Sequence, residues 1–180
     1  MKGKMWDKIY GGNYMNEKIT EGFVVDQIIK FMINKTNGNW HEEKVEKKDL
    51  HKHGVDIKLV GGKRNSEYFF IECKGKSYAK SAKSINREGW LNALGQIITR
   101  MDVKRYSISK EDGRISGINH AYKYGLGLYW ESAQVALRRI PKEVAEVLCL
   151  HIFSVNDNGE VKYFTPSKFG TEYSKQYFFN

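Results

Sequence analysis

Cysteine is nearly missing from this chain: Cys73 and Cys149 are its only two in 180 residues. Two thiols are too few for a disulfide framework, and their separation does not suit zinc, which needs clustered ligands such as CxxC. Each lies in an apolar, strand-like run, where cysteine behaves as a small hydrophobe, so both are expected reduced and buried. Long hydrophobic runs are missing too, and none would span a bilayer. The opening MKGKMWDKIYGG carries positive charge with no apolar segment behind it, unlike a signal peptide. A cytoplasmic setting without membrane contact is therefore expected. No P-loop, dinucleotide fingerprint or Ser-His-Asp order is present, and no small-molecule cofactor is expected. The histidines (His41, His51, His53, His120 and His151) lack metal-ligand spacing.

Acidic charge is the minority. Thirty Lys and Arg stand against 21 Asp and Glu, a formal charge of +9 with a pI near 9.4. Such a surplus speaks of partners rather than fold, and favours polyanions. Hydrophobic residues at 41% and aromatics at 13% exclude a disordered tail. The length suits one domain over residues 1–180.

Ile19, Phe23, Val24, Ile28, Phe31 and Met32 recur at helical spacing and predict a helix over 16–35, stopped by Asn37-Gly38-Asn39. Residues 40–46 read as extended. Strands are expected at 55–60 and 67–75, joined by Gly-Gly-Lys-Arg-Asn-Ser as an antiparallel hairpin. A second helix is expected over 84–102, with Trp90, Leu94, Ile97, Ile98 and Met101 as its stripe, then a long loop over 106–120. Strands at 124–130, 146–155 and 161–164 and a short helix at 132–140 complete one α/β domain. The tryptophans (Trp6, Trp40, Trp90 and Trp130) read as core residues.

The hairpin carries the chemistry. If Val60 sits opposite Tyr68, Asp56 faces Glu72, and directly opposed residues have Cβ atoms about 5 Å apart. Lys74 shares that face, while Phe69, Ile71 and Cys73 take the other. A slip of one residue would part the two acids. Mg²⁺ prefers hard oxygen ligands, commonly one or two carboxylates plus water and phosphate oxygens, and it lowers the pKa of a bound water. Asp56 and Glu72 are the candidate metal carboxylates, with the Cys73 carbonyl as a further oxygen. Lys74 has three candidate roles: orienting the attacking water, stabilising the charged transition state, or acting as general base beside the cation.

The pattern Asp56-x(15)-Glu72-Cys73-Lys74 on consecutive strands resembles the PD-(D/E)xK nuclease superfamily, with Val55 in place of the leading proline. The likeness extends over residues 16–130 in the order of elements. It implies a restriction-endonuclease-like core, a central mixed β-sheet flanked by helices in αβββαβ order. It also implies a Mg²⁺-dependent endodeoxyribonuclease, with Mn²⁺ substituting, that leaves 5′-phosphate ends. Members often carry a metal-reaching glutamate on the first helix; Glu21 is the candidate and Glu17 the alternative. They also carry a glutamine on the helix after ExK. Gln96 would contact Lys74 or a phosphate, and Arg100, one turn on, the DNA backbone.

Lys58 and Lys76 lie in phase with the acids, and Lys80, Lys83 and Arg87 follow, a candidate backbone-gripping rim. For any single one of these, a solvated charged loop is the plainer reading. The expected partner is DNA, read as a restriction-type, mobile-element or junction-resolving enzyme; the last would be a homodimer. The loop over 106–120 is the expected sequence reader of a restriction-type enzyme. Two cysteines argue against an iron–sulfur relative. The alternatives are a non-catalytic nucleic-acid-binding module on the same fold, and an RNA-cleaving relative.

Overall fold

A computed structural model describes residues 19–35, 39–42, 54–62, 67–78, 82–101 and 106–171, excluding the side chains of 35, 82–87, 106, 108, 115 and 116. The elements in order are α1 (Glu21–Lys35), β1 (His41–Glu42), β2 (Ile57–Gly61), β3 (Glu67–Lys74), α2 (Ala82–Thr99), β4 (Tyr106–Ile108), β5 (Ile115–Ile118), β6 (Tyr122–Tyr129), α3 (Trp130–Arg139), α4 (Lys142–Leu148), β7 (Leu150–Val155) and β8 (Val161–Phe164). A short 3-10 turn follows at Pro166–Lys168.

Six strands form one mixed sheet in the order β1-β2-β3-β6-β7-β8. The inner strands β3, β6 and β7 run parallel, with antiparallel partners outside them. Parallel strands need a crossover, and α2 supplies one while α3 and α4 supply the other. The crossover helices cover one face and α1 covers the other, so both are buried, as a parallel sheet requires. On one face α1 packs Val24, Ile28 and Met32 against Ile57, Leu59, Phe69, Ile71 and Phe153. On the other, Ala93 and Ile97 of α2 and Ala133, Ala136 and Leu137 of α3 cover Tyr124, Leu126 and Leu128. Gly127 of β6 is needed where α1 presses closest. A Cβ there would lie 2.5 Å from Ile28 Cδ1 and 2.6 Å from Cys73 Sγ. Among the described residues, no helix is long and apolar enough to cross a membrane.

The hairpin register is the expected one, Val60 opposite Tyr68, and Phe69, Ile71 and Cys73 turn to the α1 face. β2 nevertheless starts at Ile57 rather than at residue 55. The Asp56 Oδ2 atom accepts the Cys73 N–H at 2.6 Å, a donor that a ladder extended to Val55 would have used. Asp56 therefore sits in a bend.

Two expectations are corrected. The segment 106–120 is a β4–β5 hairpin, not a loop, closed by Gly113 at φ 69° and by Asp112 accepting the Arg114 N–H. Residues 146–148 are the end of α4, not the start of a strand. Ala145 packs inward while Val144 and Val147 face out, and Lys142 pairs with Glu146 one turn on. The helix stops at Cys149, which is left-handed at φ 43°. The C-terminal run 172–180, Trp6 and residues 43–50 lie outside the described residues.

Candidate active site

Glu72 is the centre of the site. It stands two residues before the end of β3, on the face turned from α1, with its side chain only 2% exposed. A carboxylate so buried is costly unless charged partners hold it. Glu72 has two: Lys74 Nζ lies 3.4 Å from Oε1, and the Arg100 guanidinium donates to Oε2. Burial, and then the nearby charge of Asp56, push its pKa up; Arg100 and Lys74 pull against them and do not fully compensate.

Lys74 bridges two acids. Its ammonium donates to Glu21 Oε2 at 3.1 Å as well as to Glu72. Burial alone would lower its pKa, but the hydrogen bond and charge of Glu21, then the charges of Glu72 and Asp56, outweigh this and leave it raised. Lys74 is therefore a firmly held cation.

Glu21 reaches this position because the chain entering α1 runs beside the end of β3. The Lys76 N–H donates to the Ile19 carbonyl at 2.7 Å. Between them Gly75 lies so close that a Cβ would stand 2.5 Å from the Glu21 nitrogen and 2.6 Å from the Ile19 oxygen. As the first residue of α1, Glu21 also lies where the helix dipole favours a negative charge.

The remaining sequence candidates divide. Cys73 enters through its backbone N–H to Asp56, and its thiol is buried in the α1-side core, which pushes its pKa well up. Arg100 is in the site, paired with Glu72, where the sequence reading had it on the DNA backbone. Its phase was legible: Ala93, Ile97 and Arg100 fall on one face of α2, and the first two are fully buried. Gln96 is exposed, its carbonyl accepting the Thr99 hydroxyl, and Ile98, assigned to the stripe, is also exposed. Lys58 lies with its ammonium 5.6 Å from the Phe70 ring centroid. Lys80, Glu17, His51, His53 and the side chains of Lys83 and Arg87 lie outside the described residues.

One group went unforeseen. Lys76 pairs with Asp157 at 3.2 Å and stands 4.7 Å from the Tyr129 ring centroid, while the Tyr129 hydroxyl donates to Asp157 at 3.1 Å. Asp157 lies in the turn between β7 and β8. Eighty-one residues separate it from Lys76, and the parallel neighbours β3, β6 and β7 bring the two together. Lys74, Tyr129 and Asp157 all emerge at the carboxyl ends of these strands, the edge at which open α/β sheets bind ligands.

Do these residues suit a hard divalent cation? In kind they do. Glu21, Asp56 and Glu72 are three carboxylates facing two cations, Lys74 and Arg100, which leaves one negative charge in a half-buried cluster. In placement they are arranged otherwise. Both Glu72 oxygens are engaged by cationic side chains, and among the described residues no three His, Cys, Asp or Glu are grouped to hold a metal ion.

No protein-family model, curated protein or solved structure matches this chain.

Proposed function

We propose that this chain is a metal-dependent nuclease, a Mg²⁺-using phosphodiesterase acting on DNA, built on a restriction-endonuclease-like core. The observation that carries the reading is the convergence of Glu21, Asp56, Glu72 and Lys74 at one sheet edge, around a buried carboxylate with a raised pKa. A perturbed carboxylate at such an edge is a mark of functional sites. The surplus of basic residues supports a polyanionic substrate.

Glu72 and Asp56 would hold the cation, with Glu21 reaching it directly or through water. When bound, it supplies a water of lowered pKa and a counter-charge for the phosphate. Lys74, kept protonated by Glu21, stabilises negative charge growing on the phosphate oxygens. Arg100 neutralises Glu72 through Oε2, an oxygen that a bound cation would have to share. Lys76 meets an adjacent phosphate.

A second reading, a non-catalytic nucleic-acid-binding module, is favoured by one feature: Glu72 is already neutralised by Lys74 and Arg100, as a purely structural network would be. One assay separates the two. Plasmid, branched and single-stranded substrates are incubated with Mg²⁺ or Mn²⁺, and then with EDTA. Metal-dependent cleavage that vanishes in Asp56→Ala, Glu72→Ala and Lys74→Ala while binding persists supports the nuclease. Retardation without cleavage under every metal leaves only the binder, and cleavage confined to RNA would transfer the chemistry to that substrate.

A further inference from the structure

Beyond β3 the chain carries Lys76 and Tyr78 along the same edge as the acids. Both are tied to one residue: Ile19 accepts the Lys76 N–H at 2.7 Å and donates its own N–H to the Tyr78 hydroxyl at 2.6 Å. Ile19 is two residues before Glu21, so this tether also fixes their distance from the acids. Lys74 and Lys76, two residues apart, are separated by at most about 7 Å of chain.

Their surroundings differ. Asp157 and the Tyr129 ring hold the Lys76 ammonium, and it also lies 5.8 Å from the Tyr78 ring centroid. Tyr78 remains 51% exposed although its hydroxyl is anchored. A tyrosine fixed at its polar tip and open over half its surface contributes little to a core. It offers a preset flat surface beside a fixed cation, the combination that binds single strands through one base face and one phosphate.

We propose that Tyr78 and Lys76 form a subsite for one unpaired nucleotide, its base stacked on the Tyr78 ring and its phosphate on Lys76. The preferred substrate class is then single-stranded or frayed nucleic acid rather than closed duplex. Bases inside a duplex are already stacked, and only an unpaired base can reach such a ring. The inference rests on the nuclease reading only in taking a nucleic acid as ligand. It concerns binding, not hydrolysis.

The test is fluorescence anisotropy in EDTA with a short labelled oligodeoxythymidine and a blunt duplex of equal length. The parent chain should prefer the single strand. Tyr78→Leu should weaken single-strand binding about 5- to 150-fold, the loss expected of one stacked base. Tyr78→Phe and Tyr78→Trp, which keep a ring without the hydroxyl anchor, should stay within about threefold of the parent, as should duplex binding by all three variants. Preference for the duplex, or full single-strand affinity in Tyr78→Leu, would overturn the subsite. So would equal losses in Tyr78→Phe and Tyr78→Leu, which would place the effect in the Ile19 tether; this comparison of ring-bearing variants decides the matter even where the leucine variant folds poorly. Ring-dependent binding without metal-dependent cleavage of any substrate would sink the nuclease reading and leave the subsite standing. Asp56-dependent cleavage together with single-strand binding unchanged in Tyr78→Leu would do the reverse.

Discussion

The carboxylate of Asp56 accepts the backbone N–H of Cys73 at 2.6 Å, seating one acid of the hairpin against the peptide that follows the other. The bond ends β2 at Ile57 and brings the Asp56 charge close enough to raise the pKa of Glu72. One carboxylate thus shapes the start of β2 and, after burial, adds to the raised pKa of Glu72.

Substituting Asp56 should therefore separate structure from chemistry. Asp56→Asn keeps an oxygen for the Cys73 N–H and should cost less than about 1 kcal/mol. Asp56→Ala leaves that donor without its acceptor and should cost about 1–3 kcal/mol. Metal-dependent cleavage should fall about a hundredfold or more in both. Urea unfolding and a plasmid assay measure the two effects, and full activity in Asp56→Asn would remove Asp56 from the catalytic set.

Glu72 gives a pH dependence with a definite sign. Its folded pKa is raised above the usual 4.5, so the folded chain holds a proton that the unfolded chain has released. The contribution of this group to stability is complete below 4.5 and is lost as pH rises through the folded value. Glu72→Gln should flatten that decline, raising the thermal midpoint relative to the parent more at pH 8 than at pH 4, while abolishing cleavage. Mg²⁺ should likewise stabilise the parent more at the higher pH, where Glu72 is ionised, and should leave Glu72→Gln unmoved. Melting curves across pH with and without Mg²⁺ test both.

Two glycines should respond in opposite ways. Gly75→Ala would drive a Cβ into the backbone of residues 19–21, displacing Glu21 from Lys74. About 1–3 kcal/mol of destabilisation and a loss of activity are expected. Gly95 lies in α2 with nothing within 4 Å of an added Cβ, and Gly95→Ala should stabilise the fold by about 0.5–1 kcal/mol with activity unchanged. Chemical denaturation beside the cleavage assay decides both.

Lys76 is the simplest electrostatic test. Its pair with the half-exposed Asp157 contributes little to stability, so Lys76→Gln should unfold within about 1 kcal/mol of the parent. Loss of one phosphate contact should reduce the slope of log affinity against log salt by about 0.7 on single strands. An unchanged slope would mean that Lys76 serves only Asp157 and Tyr129.

The turn residues between 55–60 and 67–75 predict the hairpin, and the acid pair predicts its register, because a one-residue slip would part Asp56 from Glu72. Helical spacing likewise places Val24, Ile28 and Met32 inward on α1. The local pattern failed where two structures shared one composition. The apolar run after Glu146 suited helix and strand alike, and only the packing of Ala145, on the inner face of α4, into the core settled it.

The sequence by itself determined which acids stand on the hairpin, since strand period and turn position are properties of neighbours along the chain. Tertiary structure alone decided their company. Arg100 reaches Glu72 across 28 positions, Glu21 reaches Lys74 across 53 and Asp157 reaches Lys76 across 81. Such meetings depend on how crossover helices lay parallel strands side by side, and pairing between distant segments leaves no periodic trace in a single chain.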